Sequence, residues 1–362
     1  MTTLHEKIII NDLYKKTNLQ KWKCKFTFIK RYVEEIDYEC MLSEIEYQDF
    51  IQDIDIDFTD ILSLDNNFNF KSLFLQHIKL NSYLKESKIN ALAYKAFLEV
   101  EQNETIKSVI RTFKPYRGYT NNCLYNLNSN VTGRLTVKKG PNILTLPRRC
   151  RSLIDSRFSG GKIISVDFNA LEPRFCLKLS NKNIEEDLYE EINNLLNFDI
   201  DRSVIKRAVI SVLYGAHFSS LKGLAASKSR ELFECIHSFF NLGHILSLSS
   251  NIDSDGLRRN YFGRPLWNLE ETKENILINN YIQSSAVDVA LDYFYKLVNI
   301  FDNDKAVPVF LLHDAIIFDV DNDYIKEFVK TINKGYNHKI LGNFPVKAEI
   351  FNNALKESLN EN

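Results

Sequence analysis

Two short apolar runs, each of which meets an aspartate, most constrain how this chain can fold. Residues 163–168 are Ile-Ile-Ser-Val-Asp-Phe, and a short, β-branched run of this kind is typical of a strand buried on both faces. In residues 309–318, two apolar runs lie on either side of a polar break that contains Asp314, which predicts an antiparallel hairpin. Asp167 should therefore emerge at a strand end, and Asp314 should project from the hairpin turn.

Two carboxylates from neighbouring strands form a ligand set that suits magnesium. Mg²⁺ usually takes one or two carboxylates and completes its octahedral shell with substrate phosphate oxygens and water. Two such ions, roughly 3.5–4 Å apart, can clamp the attacking and leaving oxygens of an in-line displacement. A single aspartate at a strand end is more often a cap or turn former, so the interpretation depends on the pair. We predict that Asp167 and Asp314 bind two Mg²⁺ ions, which Mn²⁺ can replace.

Between the two aspartates, residues 201–215 predict a helix with a functional face. Asp201 is a plausible N-cap and Gly215 a stop signal. Positions four apart share one face of a helix, and here they are Arg202, Lys206, Ile210 and Tyr214. The two cations could bind a triphosphate while the other two side chains contact sugar and base. The alternative is an ordinary amphipathic helix whose basic residues are solvated.

These segments resemble the palm and fingers of family A (polymerase I type) DNA polymerases. Residues 166–174, Val-Asp-Phe-Asn-Ala-Leu-Glu-Pro-Arg, are similar to the family's motif A. Residues 202–215 are similar to motif B, and residues 312–314, Leu-His-Asp, to motif C. The side chains on fixed positions of motif A are Asp167, Glu172 and Arg174.

Further segments extend the resemblance to roughly residues 115–350. Residues 132–135, Thr-Gly-Arg-Leu, with Pro-Asn at 141–142 and Leu-Pro at 146–147, resemble the segment that touches the primer–template. Residues 262–264, Phe-Gly-Arg, resemble a Gly-Arg-Arg element, and residues 279–288 resemble the family's Asn-x3-Gln-Gly-Thr-Ala-Ala-Asp pattern. Each motif is weak alone, but their shared order leaves little room for chance.

The resemblance implies an α+β polymerase right-hand fold with an antiparallel palm sheet, helical fingers and a reduced helical thumb. The implied divisions are an N-terminal region with the reduced thumb (1–115), the first part of the palm (116–181), the fingers (182–275) and the second part of the palm (276–362). The implied activity is template-directed DNA synthesis, in which a primer 3′-OH attacks the α-phosphate of a dNTP. Primer–template DNA and dNTPs are therefore the expected partners.

The resemblance also implies a role for each matching residue. The catalytic residues would be Asp167, Asp314 and Lys206. The dNTP contacts would be Arg202, Lys206, Ile210, Tyr214, Glu172 and Tyr189. The DNA contacts would be Arg134, Thr132, Asn142, Arg174, Asn279, Gln283, His313 and Arg264.

Four positions depart from the family's pattern. Ala315 follows Asp314 where these DNA polymerases usually carry glutamate, and Ile210 takes a place usually held by an aromatic ring. Tyr189 stands where many relatives have histidine, and Pro265 replaces a second arginine. We therefore expect slow or unusually selective activity.

Two alternatives to DNA synthesis follow from the same residues. Single-subunit RNA polymerases share the palm, and their motif B is similar to residues 202–207, so an RNA polymerase or primase is the first alternative. Glu172 argues against it, because a glutamate at this place in the DNA enzymes excludes a ribose 2′-OH. The second alternative is a catalytically weak, polymerase-like subunit that binds primer–template, which the departures at Ala315, Ile210 and Tyr189 favour.

Composition limits the protein's environment more than its activity. The net charge of −1 does not indicate a nucleic-acid binder. Local basic patches, however, set the affinity for phosphate groups through counterion release. Such patches occur at 138–151 and 202–207. The six cysteines form no Cys-x2-Cys pair and suggest reduced thiols in an intracellular protein. Neither an apolar run of the ~20 residues that span a bilayer nor a signal peptide is evident. We expect a soluble enzyme without membrane contact, in the cytoplasm or at a host-cell or organelle replication site.

The N-terminal 115 residues are less informative. Charged and apolar residues alternate over 21–28, which predicts a half-buried strand, and residues 70–112 have the apolar spacing of thumb helices. Residues 34–60 contain no basic residue, so a solvated face or a partner-binding surface is more plausible there than a DNA contact. The aspartates at 53, 55 and 57 could suggest an exonuclease metal site, but too little chain precedes the palm for both an exonuclease domain and a thumb. We expect no intrinsic 3′–5′ exonuclease, and a separate exonuclease or replication protein as a possible partner.

Overall fold

The computed structural model describes residues 2–26, 36–64, 70–182, 184, 187–254, 256–267, 269 and 272–352. The α-helices in these ranges are α1 (Leu4–Leu13), α2 (Thr17–Lys25), α3 (Tyr38–Met41), α4 (Glu44–Leu64), α5 (Phe70–Tyr83), α6 (Ala91–Val100), α7 (Glu104–Arg111), α8 (Leu171–Leu179), α9 (Leu188–Asn194), α10 (Arg202–Leu213), α11 (Lys222–Ala225), α12 (Ser229–Phe239), α13 (Leu242–Ser250), α14 (Glu274–Ile300) and α15 (Ile325–Ile332). Among these helices, none combines the length and apolar character that a bilayer span requires.

The strands form small antiparallel sheets. They are β1 (Lys88–Ile89), β2 (Leu124–Asn126), β3 (Thr136–Lys139), β4 (Ile154–Asp155), β5 (Lys162–Phe168), β6 (Arg258–Arg259), β7 (Pro265–Leu266), β8 (Ala306–Leu311), β9 (Ala315–Val320), β10 (Tyr336–His338), β11 (Gly342–Phe344) and β12 (Val346–Ile350). One sheet has four strands in the order β12-β5-β9-β8, and each adjacent pair is antiparallel. The predicted strand at 163–168 and the predicted hairpin at 309–318 are both confirmed.

The 27-residue helix α14 packs against the end of β5 in the four-stranded sheet. Every residue of β8 and β9 is buried, as their continuous apolar sequences require. Phe168, at the end of β5, packs against Tyr293 and Phe294 of α14, with ring centroids 5.3 and 6.1 Å apart. This contact fixes the end of β5 that carries Asp167 against the core.

The prediction of a strand over 21–28 is wrong, because residues 17–25 form α2. The buried residues Leu19, Trp22 and Phe26 are three and four positions apart, which is helical spacing. The alternating lysines gave the segment the period of a strand, but in the helix their side chains lie outside the face formed by these buried residues. Residues 27 and 28 lie outside the described ranges.

The acidic helix α4 holds the N-terminal helices in place. Asp53 accepts a hydrogen bond from Trp22 Nε1 at 2.8 Å, and Asp55 pairs with Lys7 at 2.6 Å. Asp57 accepts from the backbone N–H of Leu19 at 3.3 Å. These three carboxylates therefore have different partners instead of converging on one cation. The helices predicted within residues 70–112 are confirmed as α5, α6 and α7.

A buried ion pair joins distant parts of the chain. Arg264 is 1% exposed and its Nη2 lies 2.6 Å from Oδ1 of Asp288 on α14, which is fully buried. The guanidinium also lies over the rings of Phe70 and Phe74 of α5, 5.0 and 5.3 Å from their centroids. Gly133 is required beside it, because a Cβ there would lie 2.7 Å from Arg264 Cζ and its φ is +68°. The pair thus connects the 132–135 segment with α5 and α14.

Removing one partner of this pair should cost much of the protein's stability. In an Asp288→Asn variant, the Arg264 charge stays buried without its counter-charge, and we expect the free energy of unfolding to fall by about 3–5 kcal/mol. Urea denaturation at neutral pH measures the change. The exposed Asp304→Asn variant is the matched control and should stay within ~0.5 kcal/mol of wild type. Equal stability of the two variants would contradict a structural role for the pair.

Candidate active site

A cavity of about 460 Å³ opens where one end of the four-stranded sheet meets α8, α10 and α14. It combines acidic, basic and aromatic side chains. Those that bear on the chemistry are Arg134, Asp167, Glu172, Tyr189, Lys206, Ile210, Tyr214, His313, Asp314 and Lys347. Most were predicted as site residues, whereas Lys347 was not.

Strand pairing brings the two aspartates together. Asp167 of β5 lies opposite Ala315 of β9, and the backbone N–H of Phe168 donates to the carbonyl oxygen of Asp314 at 3.2 Å. Burial raises the pKa of Asp167, and the negative charge of Asp314 raises it further. Two like-charged carboxylates that face one cavity are stabilised by cations, and oxygen donors are what Mg²⁺ prefers. The donor set therefore fits a divalent metal ion.

Lys347 provides one positive charge at this position. It lies opposite Asp167 in the pairing of β12 with β5, and its Nζ is 3.4 Å from Asp167 Oδ2 and 3.3 Å from Glu349 Oε1. Burial alone would lower the pKa of Lys347, but the two carboxylates outweigh this effect and raise it. The sequence holds no local signal for this contact, because 180 positions separate the partners and only the strand register joins them.

A sharp turn carries the chain from β5 into α8 and positions Glu172. Ala170 has the left-handed backbone conformation, with φ 56°, and the N–H of Asn169 donates to Pro345 O at 2.9 Å. Glu172 follows in the first turn of α8 and faces the cavity. Burial raises the pKa of its carboxyl group, although Arg134 opposes this shift.

Arg134 joins Glu172 to the end of α10. Its Nη2 donates to Glu172 Oε1 at 2.9 Å and to the Tyr214 hydroxyl at 2.7 Å. Tyr214 follows α10 as its C-cap, and Gly215 ends the helix with φ +86°. The predicted N-cap Asp201 and the predicted end of this helix are both confirmed. Three segments that are distant in sequence therefore meet at one wall of the cavity.

The predicted face of α10 is only partly directed into the cavity. Lys206, Ile210 and Tyr214 line it. Arg202 instead lies at its margin, where it is paired with Asp187 and lies 5.1 Å over the ring of Tyr189. Tyr189 is buried, which raises its pKa to about 12, so its hydroxyl stays neutral beside the pocket.

Two residues that were expected to contact DNA lie in the protein interior. Arg264 is held in the buried pair with Asp288, and Arg174 is 5% exposed and donates to the carbonyl oxygens of Asn169 and Ile184. Both guanidinium groups are bound by protein partners in this structure, and their contact with DNA stays a prediction. Neither burial nor these partners could be inferred from the local sequence.

Of the other expected DNA contacts, Gln283 is buried and the rest are exposed or half-buried. His313 is exposed in the hairpin turn and lines the cavity. Thr132 donates to Asn130 Oδ1 at 2.8 Å, and the N–H of Asn142 donates to Thr112 Oγ1 at 2.9 Å. On α14, Gln283 is 6% exposed and donates to the side chain of Asn279. These contacts orient the side chains without identifying a ligand.

The fold is similar to that of a known polymerase domain. The structure of the POL domain of Pol1 from M. smegmatis, in complex with a DNA primer-template and dNTP, matches with a TM-score of 0.58 and 14% sequence identity. The match covers 84% of this chain and 73% of that chain. No family model and no curated protein sequence matches the chain. At this identity the likeness is one of fold, a mixture of helices and small antiparallel sheets that resembles a polymerase domain.

The raised pKa of Asp167 predicts a pH-dependent gain in stability on its removal. Because its pKa in the folded state lies above that in the unfolded state, the ionised carboxylate destabilises the fold at high pH, and the penalty vanishes as the pH falls below the unfolded value. In EDTA at pH 8, Asp167→Asn should raise the free energy of unfolding by about 1–2 kcal/mol. The gain should disappear near pH 4. Denaturation at both pH values measures it, with the exposed Asp49→Asn as control, and a pH-independent effect would contradict the shift.

Proposed function

We propose that this protein is a template-directed DNA polymerase that adds dNTPs to a primer 3′-OH by two-metal-ion nucleotidyl transfer. The observation that carries the proposal is the meeting of Asp167 and Asp314 in one cavity, which Lys206 of α10 also lines. A fold similar to a DNA polymerase domain supports it. The identity of 14% is too low to carry function by itself.

In this proposal the two carboxylates hold Mg²⁺, or Mn²⁺ in its place. Two bound ions would stabilise the attacking and leaving oxygens of the displacement. Lys206 is exposed and lines the same cavity, where its charge would bind the triphosphate and stabilise the charge that develops on it. Arg202, at the margin of the cavity, would add a contact to the outer phosphates once it leaves Asp187.

The remaining cavity residues would select the nucleotide and hold the duplex. Ile210, Tyr214 and Tyr189 offer apolar surface to the sugar and base of a dNTP. Arg134, Thr132, Asn142, Asn279, Gln283 and His313 would contact primer–template DNA. Most of the rate enhancement would come from positioning and charge stabilisation, as is general for phosphoryl and nucleotidyl transfer.

The proposed domains follow the course of the chain around the cavity. The palm would comprise residues 116–181 and 276–362, which contain the sheet of β12, β5, β9 and β8. The fingers would comprise 182–275, which are mainly helical from α9 to α13. Residues 1–115 would form an N-terminal region and a reduced thumb, whose acidic helix offers a surface for a separate replication protein or exonuclease.

Glu172 favours a DNA polymerase over an RNA polymerase on the same palm. It lies in the cavity, with its carboxylate held by Arg134 at 2.9 Å, where it would meet the C2′ position of a sugar bound against Tyr214. A catalytically weak primer–template-binding subunit is the other alternative, since Ala315 supplies no carboxylate next to Asp314. Primer extension with separate dNTP and NTP mixes separates the three functions.

The metal ligands provide the most direct test of catalysis. Asp167→Asn and Asp314→Asn should each lower primer extension to less than about a tenth of the wild-type rate, because each removes a charged oxygen ligand. Primer–template affinity should stay within about twofold, since phosphate contacts elsewhere supply most of it. Stopped-flow extension and fluorescence anisotropy measure the two quantities, and Asp49→Asn is the control. Near-normal extension by either variant would refute the assignment.

Sugar selection should depend on Glu172. In the proposed site, the Glu172 side chain leaves a ribose 2′-OH neither space nor a hydrogen-bonding partner. A buried hydroxyl without a partner costs ~1–3 kcal/mol of binding free energy, and Glu172→Ala would remove this penalty. We expect the preference for dNTPs over NTPs to fall by about ten- to a hundredfold, mainly through faster NTP incorporation. The control is Glu190→Ala, which removes an exposed glutamate from the first turn of α9.

Two other outcomes have clear meanings. If Glu172→Ala slows both nucleotide classes equally, Glu172 serves only to position Arg134 and Tyr214. If the wild-type protein uses NTPs as well as dNTPs, the RNA polymerase alternative replaces the proposal.

A further inference from the structure

Lys347 lies between two carboxylates at the edge of the active-site cavity. The antiparallel pairing of β12 with β5 sets Lys347 opposite Asp167, and Glu349 follows two positions later on the same face of β12. Its Nζ is 3.4 Å from Asp167 Oδ2 and 3.3 Å from Glu349 Oε1. The ammonium group is therefore shared almost equally between a proposed metal ligand and a neighbouring glutamate.

This arrangement alters the charge that a divalent cation would meet. Asp167 and Asp314 contribute two negative charges, Ala315 contributes none, and Lys347, which Asp167 shares with Glu349, offsets part of the charge of Asp167. An ammonium group and a metal ion compete for the same carboxylate oxygens, because opposite charges at 3–4 Å interact strongly in a partly buried site. Glu349 offers the ammonium group a second partner within reach, so Lys347 can leave Asp167 without losing a counter-charge.

We propose that Lys347 is a positioning residue that acts as the counter-ion of Asp167 and weakens divalent-cation binding in the absence of nucleotide, and that Glu349 accepts its ammonium group when a cation binds. The inference rests on the proposed function only in assigning the metal site to Asp167 and Asp314. If Lys347 acts in this way, a metal ion binds well only together with the phosphate oxygens of a nucleotide. These oxygens replace the negative charge that Lys347 offsets.

The test measures Mn²⁺ affinity by electron paramagnetic resonance, with neither nucleotide nor DNA present. Lys347→Met keeps most of the side-chain volume and removes the charge, and it should bind Mn²⁺ about tenfold more tightly than wild type. Lys347→Arg keeps the charge and should stay within about twofold of wild type. The control is Lys162→Met, which removes a lysine from the far end of β5 and should have no effect. Unchanged or weaker Mn²⁺ binding by Lys347→Met overturns the inference.

A double-mutant cycle tests the part played by Glu349. Glu349→Gln should weaken Mn²⁺ binding, because Lys347 then has only Asp167 as its charged partner. If Glu349 acts through the lysine, this effect should shrink in the Lys347→Met background. An equal loss in both backgrounds would show that Glu349 acts on the cation directly and would overturn this step.

Primer extension on the same proteins separates the two proposals. A wild-type protein that does not extend primers, while Lys347→Met still binds Mn²⁺ more tightly, refutes the polymerase function and supports the counter-ion. Normal extension by wild type with unaltered Mn²⁺ affinity in Lys347→Met supports the polymerase function and refutes the counter-ion.

Discussion

The antiparallel pairing of β5 with β9 and β12 is the constraint on which the site depends. It sets Asp167 between Ala315 on one side and Lys347 on the other, and it holds Asp314 at the adjacent turn. Since side chains alternate between the faces of a strand, a shift of one residue would turn Asp167 away from the cavity. The alternation within β5 opposes this shift: Ile164, Val166 and Phe168 are buried, whereas Ser165 and Asp167 are half-buried, so a slip would turn polar side chains into the core. Core packing therefore determines the position of the charged groups.

Local patterns predicted the elements that carry the site. The β-branched run before Asp167, the polar break at Asp314 and the N-cap and glycine around α10 each reflect interactions within a few residues, so the sequence was sufficient for them. The strand proposed for 21–28 failed because its lysines alternate, whereas burial of Leu19, Trp22 and Phe26 favours a helix. Where two periods compete in a short segment, tertiary burial decides between them.

Long-range partners could not be predicted in the same way. Arg264 and Arg174 are charged residues in recognisable motifs. Only the folded chain shows that Asp288 binds Arg264, and that backbone carbonyl groups bind Arg174, in the protein interior. Lys347 lies in a strand without a motif, and its importance derives from its register with Asp167. Motif similarity thus identified which segments surround the cavity, whereas charge pairing within it required the structure.

The contacts of Arg134 bear on how such a cavity would choose its substrate. Glu172 and Tyr214 are both bonded to this guanidinium, so the groups proposed to contact the sugar already satisfy one another before a nucleotide binds. In the proposed function, a 2′-deoxy sugar would pack against them and leave those bonds intact. A ribose hydroxyl would have to displace one of them or stay unpaired, and either outcome costs free energy. Selection at this site would therefore arise from the strength of an existing hydrogen-bond network as well as from the space that Glu172 occupies.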